Sequence, residues 1–212
     1  DDHVQDANIN RILKYYSKSG HRITAVCFKR KSGFRYKNIK WIRGDLRNKQ
    51  FCQKITKNID IIIQAAATTS GAKDIINKPY LHVTDNAVMN SYLLQSCYDN
   101  FVKKFIFFSC TVMYQNSASP LKEKDFNPNN EIYEKYFGVA NTKLYIEKIC
   151  KFYSKFKRTK FTIIRHSNIY GPHDKYDLDK SHFFGATISK VMKAEKKITI
   201  WGKGLEKRDM LY

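Results

Sequence analysis

Residues 168–175 (Asn-Ile-Tyr-Gly-Pro-His-Asp-Lys), then Ser181-His182 and Trp201-Gly202-Lys203-Gly204 with Arg208, gather the side chains best suited to chemistry. An apolar run, Phe161 to Ile164, leads directly into them, so the group begins where a buried strand ends. Polar residues marked by Gly and Pro just past a strand end are where open α/β sheets bind ligands. Arg165, His166, Asn168, His173, Lys175, His182, Lys190 and Arg208 supply a dense set of cationic and amide donors. Such donors suit an anionic, hydroxyl-rich ligand such as a nucleotide sugar.

Placing those residues requires a scaffold, and the hydrophobic pattern describes one. Ile9, Ile12, Leu13 and Tyr16 recur at helical spacing, and Ser19-Gly20 closes that helix. Short apolar strands are predicted at Arg22–Phe28, around Trp41–Asp45, at Asp60–Ala67, Lys104–Cys110 and Phe161–Ile164. Helices are predicted at Phe51–Lys57, Val83–Cys97, Val139–Phe156 and Phe183–Ala194. Strands alternating with helices and lacking hairpin signals predict an α/β fold with a doubly wound parallel sheet. Residues 115–135, with Pro120 and Pro128, form a polar segment long enough to be a functional loop. Such a sheet normally opens with a strand and a Gly-rich turn. None precedes the first helix, and Arg208–Tyr212 reads as a strand stopping midway, so truncation at both ends is expected.

Composition narrows the classes. A chain of 212 residues with 42% hydrophobic and 14% aromatic content is globular, and it holds no apolar run of about 18 residues that would predict a membrane span. The net charge of +20 raises the question of nucleic acid. The lysines, however, are scattered among Ile, Asn, Tyr and Phe, without an arginine-rich tract or zinc spacing, so neither nucleic acid nor a membrane is expected as a partner. Five cysteines (Cys27, Cys52, Cys97, Cys110 and Cys150) share no metal spacing. They predict reduced thiols, no metal site and a cytoplasmic location.

The ordered set of motifs resembles the extended short-chain dehydrogenase/reductases, the NAD-dependent epimerase/dehydratase family, and within it the GDP-L-fucose synthase group. The residues carrying the resemblance are Gly44-Asp45-Leu46, Asp60 to Ala67, Asn86, Ser109 to Tyr114, Lys143, Arg165 to Asp174, Ser181-His182 and Trp201 to Arg208. The resemblance implies a dinucleotide-binding Rossmann-like domain over residues 1–165 and the beginning of a smaller nucleotide-sugar-binding region over 166–212. It also implies a nucleotide-sugar substrate, GDP-linked for preference, and a homodimer joined through helices equivalent to Val83–Cys97 and Val139–Phe156.

For the cofactor, the resemblance implies that Asp45 holds the adenine amino group and that Ala65, Ala66 and Ala67 pass close beneath the ribose and nicotinamide. Three alanines after a buried strand also fit plain helix–strand packing. His166 and Lys143 complete the expected cofactor set. Asn86 would brace the central strand or a water, unless it lies on an exposed helix face. The predicted strand Arg22–Phe28 is followed by Lys29-Arg30-Lys31 and no acid. An acid there accepts the ribose hydroxyl of NAD, whereas an Arg suits the 2′-phosphate of NADP. Arg30 therefore favours NADP over NAD.

The catalytic residues depart from the family. Its members place a Tyr four residues before a Lys on one helix face, and a Ser or Thr at a strand end. Lys143 stands where that Lys is expected, but Val139 occupies the Tyr position. Tyr136 is the nearest candidate, seven residues back and about 10 Å away along a continuous helix axis, and could serve only if the helix starts after it and the chain folds back. Counting back from Tyr114 puts Cys110 at the hydroxyl position, in which case Val112 fills the acid/base site and cannot transfer a proton. Matching Ser109-Cys110 to the Ser-Cys pair of fucose synthases instead makes Cys110 the epimerisation acid/base. Thr111 could supply the hydroxyl if it turns inward where the strand ends, and a buried structural thiol is the plain alternative for Cys110. At the substrate end, His182 matches the family's proton-donating His. Lys190, Trp201 and Arg208 match nucleotide-contacting positions, and Asn168 would touch the sugar or its phosphate. His182 as a simple helix start and Trp201 as a packing residue are the alternatives. Two functions follow: an NAD(P)-dependent nucleotide-sugar epimerase, dehydratase or reductase, or a non-catalytic relative that binds the same ligands as a sensor or scaffold.

Overall fold

The computed structural model describes residues 6–28, 36, 38–69, 77–171, 176, 178, 181–200, 204, 207 and 209–212. Its strands are all parallel, as the alternating pattern predicts, and helices flank them. The chain divides into two compact units.

The first unit comprises residues 1–45, 65–77 and 167–212. It holds helix α1 (Asp6–Ser17), strands β1 (Ile23–Cys27) and β2 (Ile39–Arg43), the short strands β6 (Asn168–Ile169) and β7 (Met210–Leu211), and helix α5 (Phe183–Lys193). Strands β1 and β2 pair from Ile23–Ile39 to Cys27–Arg43, and β6 pairs with β7. Gly20, at φ +74, supplies the left-handed residue that ends the α1 turn. Ser19 tightens that end by donating its hydroxyl to the Tyr16 carbonyl at 2.8 Å.

The second unit, residues 46–64 and 78–166, contains the main core. Its elements are α2 (Lys49–Ile55), β3 (Ile61–Gln64), α3 (Thr84–Asp99), β4 (Lys104–Cys110), α4 (Phe137–Ser154) and β5 (Lys160–His166). The three strands lie in the order β3-β4-β5. Alternation along β4 buries Phe105, Phe107 and Ser109 on one face and leaves Ile106, Phe108 and Cys110 half-buried on the other. Phe105 and Phe107 meet Leu93, Leu94, Cys97, Ile146 and Cys150 from α3 and α4, and Cys52 from α2. Asn48 caps α2 by accepting the Phe51 N–H at 2.9 Å.

The three helix-to-strand turns of this unit share one device. Asn58, Phe101 and Lys157, which follow α2, α3 and α4, all adopt φ +57. After α3, the Val102 N–H returns to the Cys97 carbonyl at 3.0 Å, closing the helix end. Only Asn58 is a residue type that enters this region readily. The polar segment 115–135 contains two short 3-10 turns, Glu123–Asp125 and Glu134–Tyr136.

Cys52, Cys97 and Cys150 are fully buried, and burial pushes the Cys97 thiol strongly up and Cys150 up to about 12. Alkylation resolved by mass spectrometry should leave these three unmodified in the native chain and label them only under denaturant. Native labelling of Cys97 at a rate matching the half-buried Cys27 would contradict the core described here.

Candidate functional site

Lys143 is placed by α4 and held by the end of β4. Its ammonium donates to the Phe108 carbonyl at 2.7 Å and lies 4.8 Å from the centroid of the Phe107 ring. Burial lowers its pKa, and the negative fields of Cys110 and Glu147 oppose that effect. Lys143 as a whole is half-buried, with its ammonium resting on strand backbone and an aromatic ring. Asn141 and Thr142 donate back to the Phe137 and Gly138 carbonyls at 2.9 and 2.8 Å, and α4 begins without a side-chain cap.

Cys110 is the last residue of β4 and pairs in register with His166, the last of β5. Burial raises the Cys110 thiol pKa, while the nearby Lys143 ammonium and the Val112 N–H pull it back down. Glu147 raises it further and Arg165 lowers it. Ser109 points to the α4 side, fully buried, and its hydroxyl has no hydrogen-bond partner. Thr111 is exposed. The expectation that it could turn inward at the strand end is therefore not met, because the chain enters a turn in which the Tyr114 N–H returns to the Thr111 carbonyl at 3.1 Å. His166 is half-buried, with its ring 6.0 Å from that of Phe108.

Tyr136 immediately precedes α4, in a non-helical conformation at φ −104 and ψ 5. The helix thus starts after it, the first of the two conditions for Tyr136 to act with Lys143. Its ring packs 5.9 Å from that of Tyr133. Val139 lies within the first turn of α4, half-buried.

One pair escaped the sequence reading. Arg165, the penultimate residue of β5, donates from Nη2 to Glu147 at 2.7 Å and from Nη1 to the Tyr114 hydroxyl at 2.9 Å. Glu147 lies one turn beyond Lys143 on α4 and is 8% exposed. An acid on the buried face of a helix calls for a cation, and that was the available signal. Asn86 is buried and donates to the His82 carbonyl at 2.8 Å, so it does not lie on an exposed helix face. Asn90 donates in turn to the Asn86 carbonyl at 2.8 Å and accepts from Gln64 at 3.0 Å.

In the first unit, Asp45 is half-buried just past β2, where the Gly44 N–H donates to the Cys27 carbonyl at 2.9 Å. Ala65, Ala66 and Ala67 are half-buried and lie outside the strand, which ends at Gln64 and not at Ala67 as the apolar run predicted. The exposed Asn168 donates its amide to the Asp209 carbonyl at 3.2 Å, which also accepts the Ser167 hydroxyl at 2.6 Å. His182 is exposed and forms the N-cap of α5, the helix-start position weighed above. Lys190 donates to the Thr199 carbonyl at 3.0 Å. Arg30, Trp201 and Arg208 lie outside the described residues, as do His173 and Lys175. No group of three His, Cys, Asp or Glu side chains among the described residues could hold a metal ion, and no described helix is long and apolar enough to cross a membrane.

The model of the NAD dependent epimerase/dehydratase family matches residues 10–212. A GDP-L-fucose synthase of Sinorhizobium fredii (strain NBRC 101917 / NGR234) is 30% identical over 161 residues, covering 71% of this chain and 49% of the relative. The chain spans about half the length of the curated relatives it matches. Among solved structures, UDP-glucose 4-epimerase from Thermotoga maritima superposes with a TM-score of 0.80 at 18% identity, over 99% of this chain and 66% of that one. A GDP-L-fucose synthetase from Naegleria fowleri bound to NADP gives 0.71 at 22% identity, over 97% and 64%. These likenesses establish the Rossmann-like fold expected from the alternating pattern. By the match over nearly its whole length, the chain belongs to the NAD dependent epimerase/dehydratase family.

Proposed function

We propose that this chain is part of an NAD(P)-dependent enzyme that epimerises, dehydrates or reduces a nucleotide sugar, with a GDP-linked sugar as the preferred substrate. The observation that carries this reading is the buried Lys143 ammonium at the end of β4, beside Cys110. The resemblance assigns the dinucleotide the Lys143 ammonium for ribose hydroxyls, the Asp45 carboxylate for the adenine amino group, and the small residues Ala65–Ala67 beneath the ribose and nicotinamide. Arg30 favours NADP. The cofactor, when bound, supplies hydride exchange with the sugar.

The protein's own residues bind, orient and move protons. Lys143 holds the ribose and keeps a positive charge near the group that exchanges the sugar hydroxyl proton. Cys110 stands at the hydroxyl position, or serves as the epimerisation acid/base in the alternative register, and Tyr136 is the phenol available at the start of α4. Thr111, exposed in this structure, remains a proposed contributor only through movement of its turn. His182 exchanges a proton near the keto sugar. Asn168, Lys190, Trp201 and Arg208 contact the nucleotide diphosphate, and His166 lies on the cofactor side. Residues 1–165 form the dinucleotide-binding domain in this reading and 166–212 the beginning of the sugar-binding region. A homodimer in the cytoplasm completes it.

Val139, where the family carries Tyr, favours a second reading in which the protein binds the same ligands without turnover. The two are separated by mixing the full-length protein with NADPH and GDP-4-keto-6-deoxymannose and following nicotinamide absorbance. Steady oxidation of NADPH is the expected result. Tight NADPH binding without oxidation would sink the reductase reading for that substrate and leave the binding one.

A further inference from the structure

The strands of the second unit enter their sheet at the end opposite Cys110. Strand β4 has seven residues, so its two ends lie about 20 Å apart. At the entry end the Lys104 N–H donates to the Asp60 carbonyl at 3.0 Å and the Lys160 N–H to the Lys103 carbonyl at 2.9 Å, which sets the three strand starts side by side. The turns leading into them, residues 56–60, 99–104 and 155–160, carry seven Lys or Arg against two Asp. The whole chain holds 39 against 19, so the fold gathers at this edge a cationic excess that sequence order disperses. Every one of these cations is exposed. Lys103 pairs with Asp60 at 2.7 Å, whereas among the described residues Lys104, Lys157 and Lys160 have no ion pair.

Aromatic rings stand among these charges. Phe101 is 63% exposed, lies outside the core cluster and adopts φ +57, a conformation costly for a bulky side chain. The Arg158 guanidinium lies 4.6 Å from the centroid of its ring and 4.5 Å from that of Tyr98. An exposed ring in a strained position and a row of unpaired cations contribute little to folding. Together they suit a ligand that carries both phosphates and flat faces. Proteins hold single-stranded nucleic acid in this way, with cations along the backbone and aromatic rings stacked on unpaired bases. Arg beside a ring adds a cation–π contribution.

We propose that the strand-entry edge of the β3-β4-β5 sheet binds single-stranded nucleic acid, with Lys104, Lys157 and Lys160 on phosphates and Phe101, backed by Arg158, stacked on a base. The surface is separate from Lys143 and Cys110 and does not depend on the enzymatic reading.

The test is the binding of a fluorescently labelled oligouridylate to the full chain, followed by anisotropy at a series of salt concentrations. Replacing Lys104, Lys157 and Lys160 together by Gln should weaken binding about tenfold or more and reduce the slope of log affinity against log salt by about 2, the share of three phosphate contacts on a single strand. A matched triple at the exposed Lys124, Lys135 and Lys148, elsewhere in the same unit, should leave the slope unchanged. Phe101→Gly should weaken binding about fivefold or more, the low end for one stacked base. Its denaturation midpoint should stay the same or rise, because Gly accepts φ +57 without strain. Absence of saturable binding by the original chain overturns the proposal. Equal slope losses in the two triples overturn it too, by assigning the effect to the general charge of +20. So does full affinity in Phe101→Gly. Displacement by polyglutamate as effective as that by unlabelled oligouridylate would make the edge a surface for acidic protein, and would overturn it equally.

Discussion

Replacing Lys143 by Met is expected to lower nicotinamide-linked turnover by about 100-fold or more, the scale of losing a positioned group in proton transfer, while the melting temperature stays the same or rises. The two halves of this expectation come from the same geometry. The ammonium is buried against the Phe107 ring and the Phe108 carbonyl, and burial lowers its pKa. Holding a charge there costs stability, and an unbranched apolar side chain of similar length removes that cost. In the proposed reading, that cost accompanies the part Lys143 plays in proton transfer. Its pH signature has a definite sign. Because the native pKa is depressed, the unfolded chain binds more protons between that value and the ordinary lysine value of about 10.4. Stability should therefore rise with pH across that window in the original chain and lose this slope in Lys143→Met, as measured by urea denaturation at a series of pH values. A variant that melts markedly lower and loses no turnover would make Lys143 a structural residue.

Removing Arg165 alone, as Arg165→Met, is expected to destabilise the chain by about 3 kcal/mol, the low end for breaking a buried pair, because the side chain keeps 19% of its exposure. The loss comes chiefly from Glu147, a buried residue whose carboxylate would lose its two guanidinium donors. The Glu147 hydrogen bond is also the main reason the Arg165 pKa lies above its ordinary range. Replacing both residues together, as Glu147→Leu with Arg165→Met, should recover most of the loss, since apolar residues of similar volume substitute well for buried pairs. Chemical denaturation of the three variants measures this. Equal destabilisation in the single and double variants would place the stabilising contribution elsewhere, in the Phe126 stack or the Tyr114 hydrogen bond.

Legibility of the fold followed periodicity. Strand β4 runs from Lys104 to Cys110 in the structure as in the sequence, because its continuous apolar run Phe105–Phe108 is bounded by Lys103-Lys104 on one side and Ser109 on the other. Helix α4 starts two residues earlier than Val139, and its true signal lay in the 3-10 turn at Glu134–Tyr136. Three helix ends were harder to read because they use Asn58, Phe101 and Lys157 at positive φ, and only one of these is a type associated with such turns. For the candidate site, the position of Lys143 at the sheet end was accessible from motif order. The exposure of Thr111 was not, because it depends on the turn that closes at Tyr114. The Glu147–Arg165 pair was missed for a different reason. Its members are distant in sequence, and a charged residue on a helix in a chain of net charge +20 reads first as solvated surface.

The central claim, that this chain carries a dinucleotide site built around Lys143, is tested most directly by titrating the full chain with NADPH and following nicotinamide fluorescence, in parallel with Lys143→Met. Saturable binding that is displaced by NADP and weakened about tenfold or more in the variant, a loss of roughly 1.4 kcal/mol, is the predicted result. Absence of saturable binding by the original chain, or equal binding by the two proteins, would contradict the account.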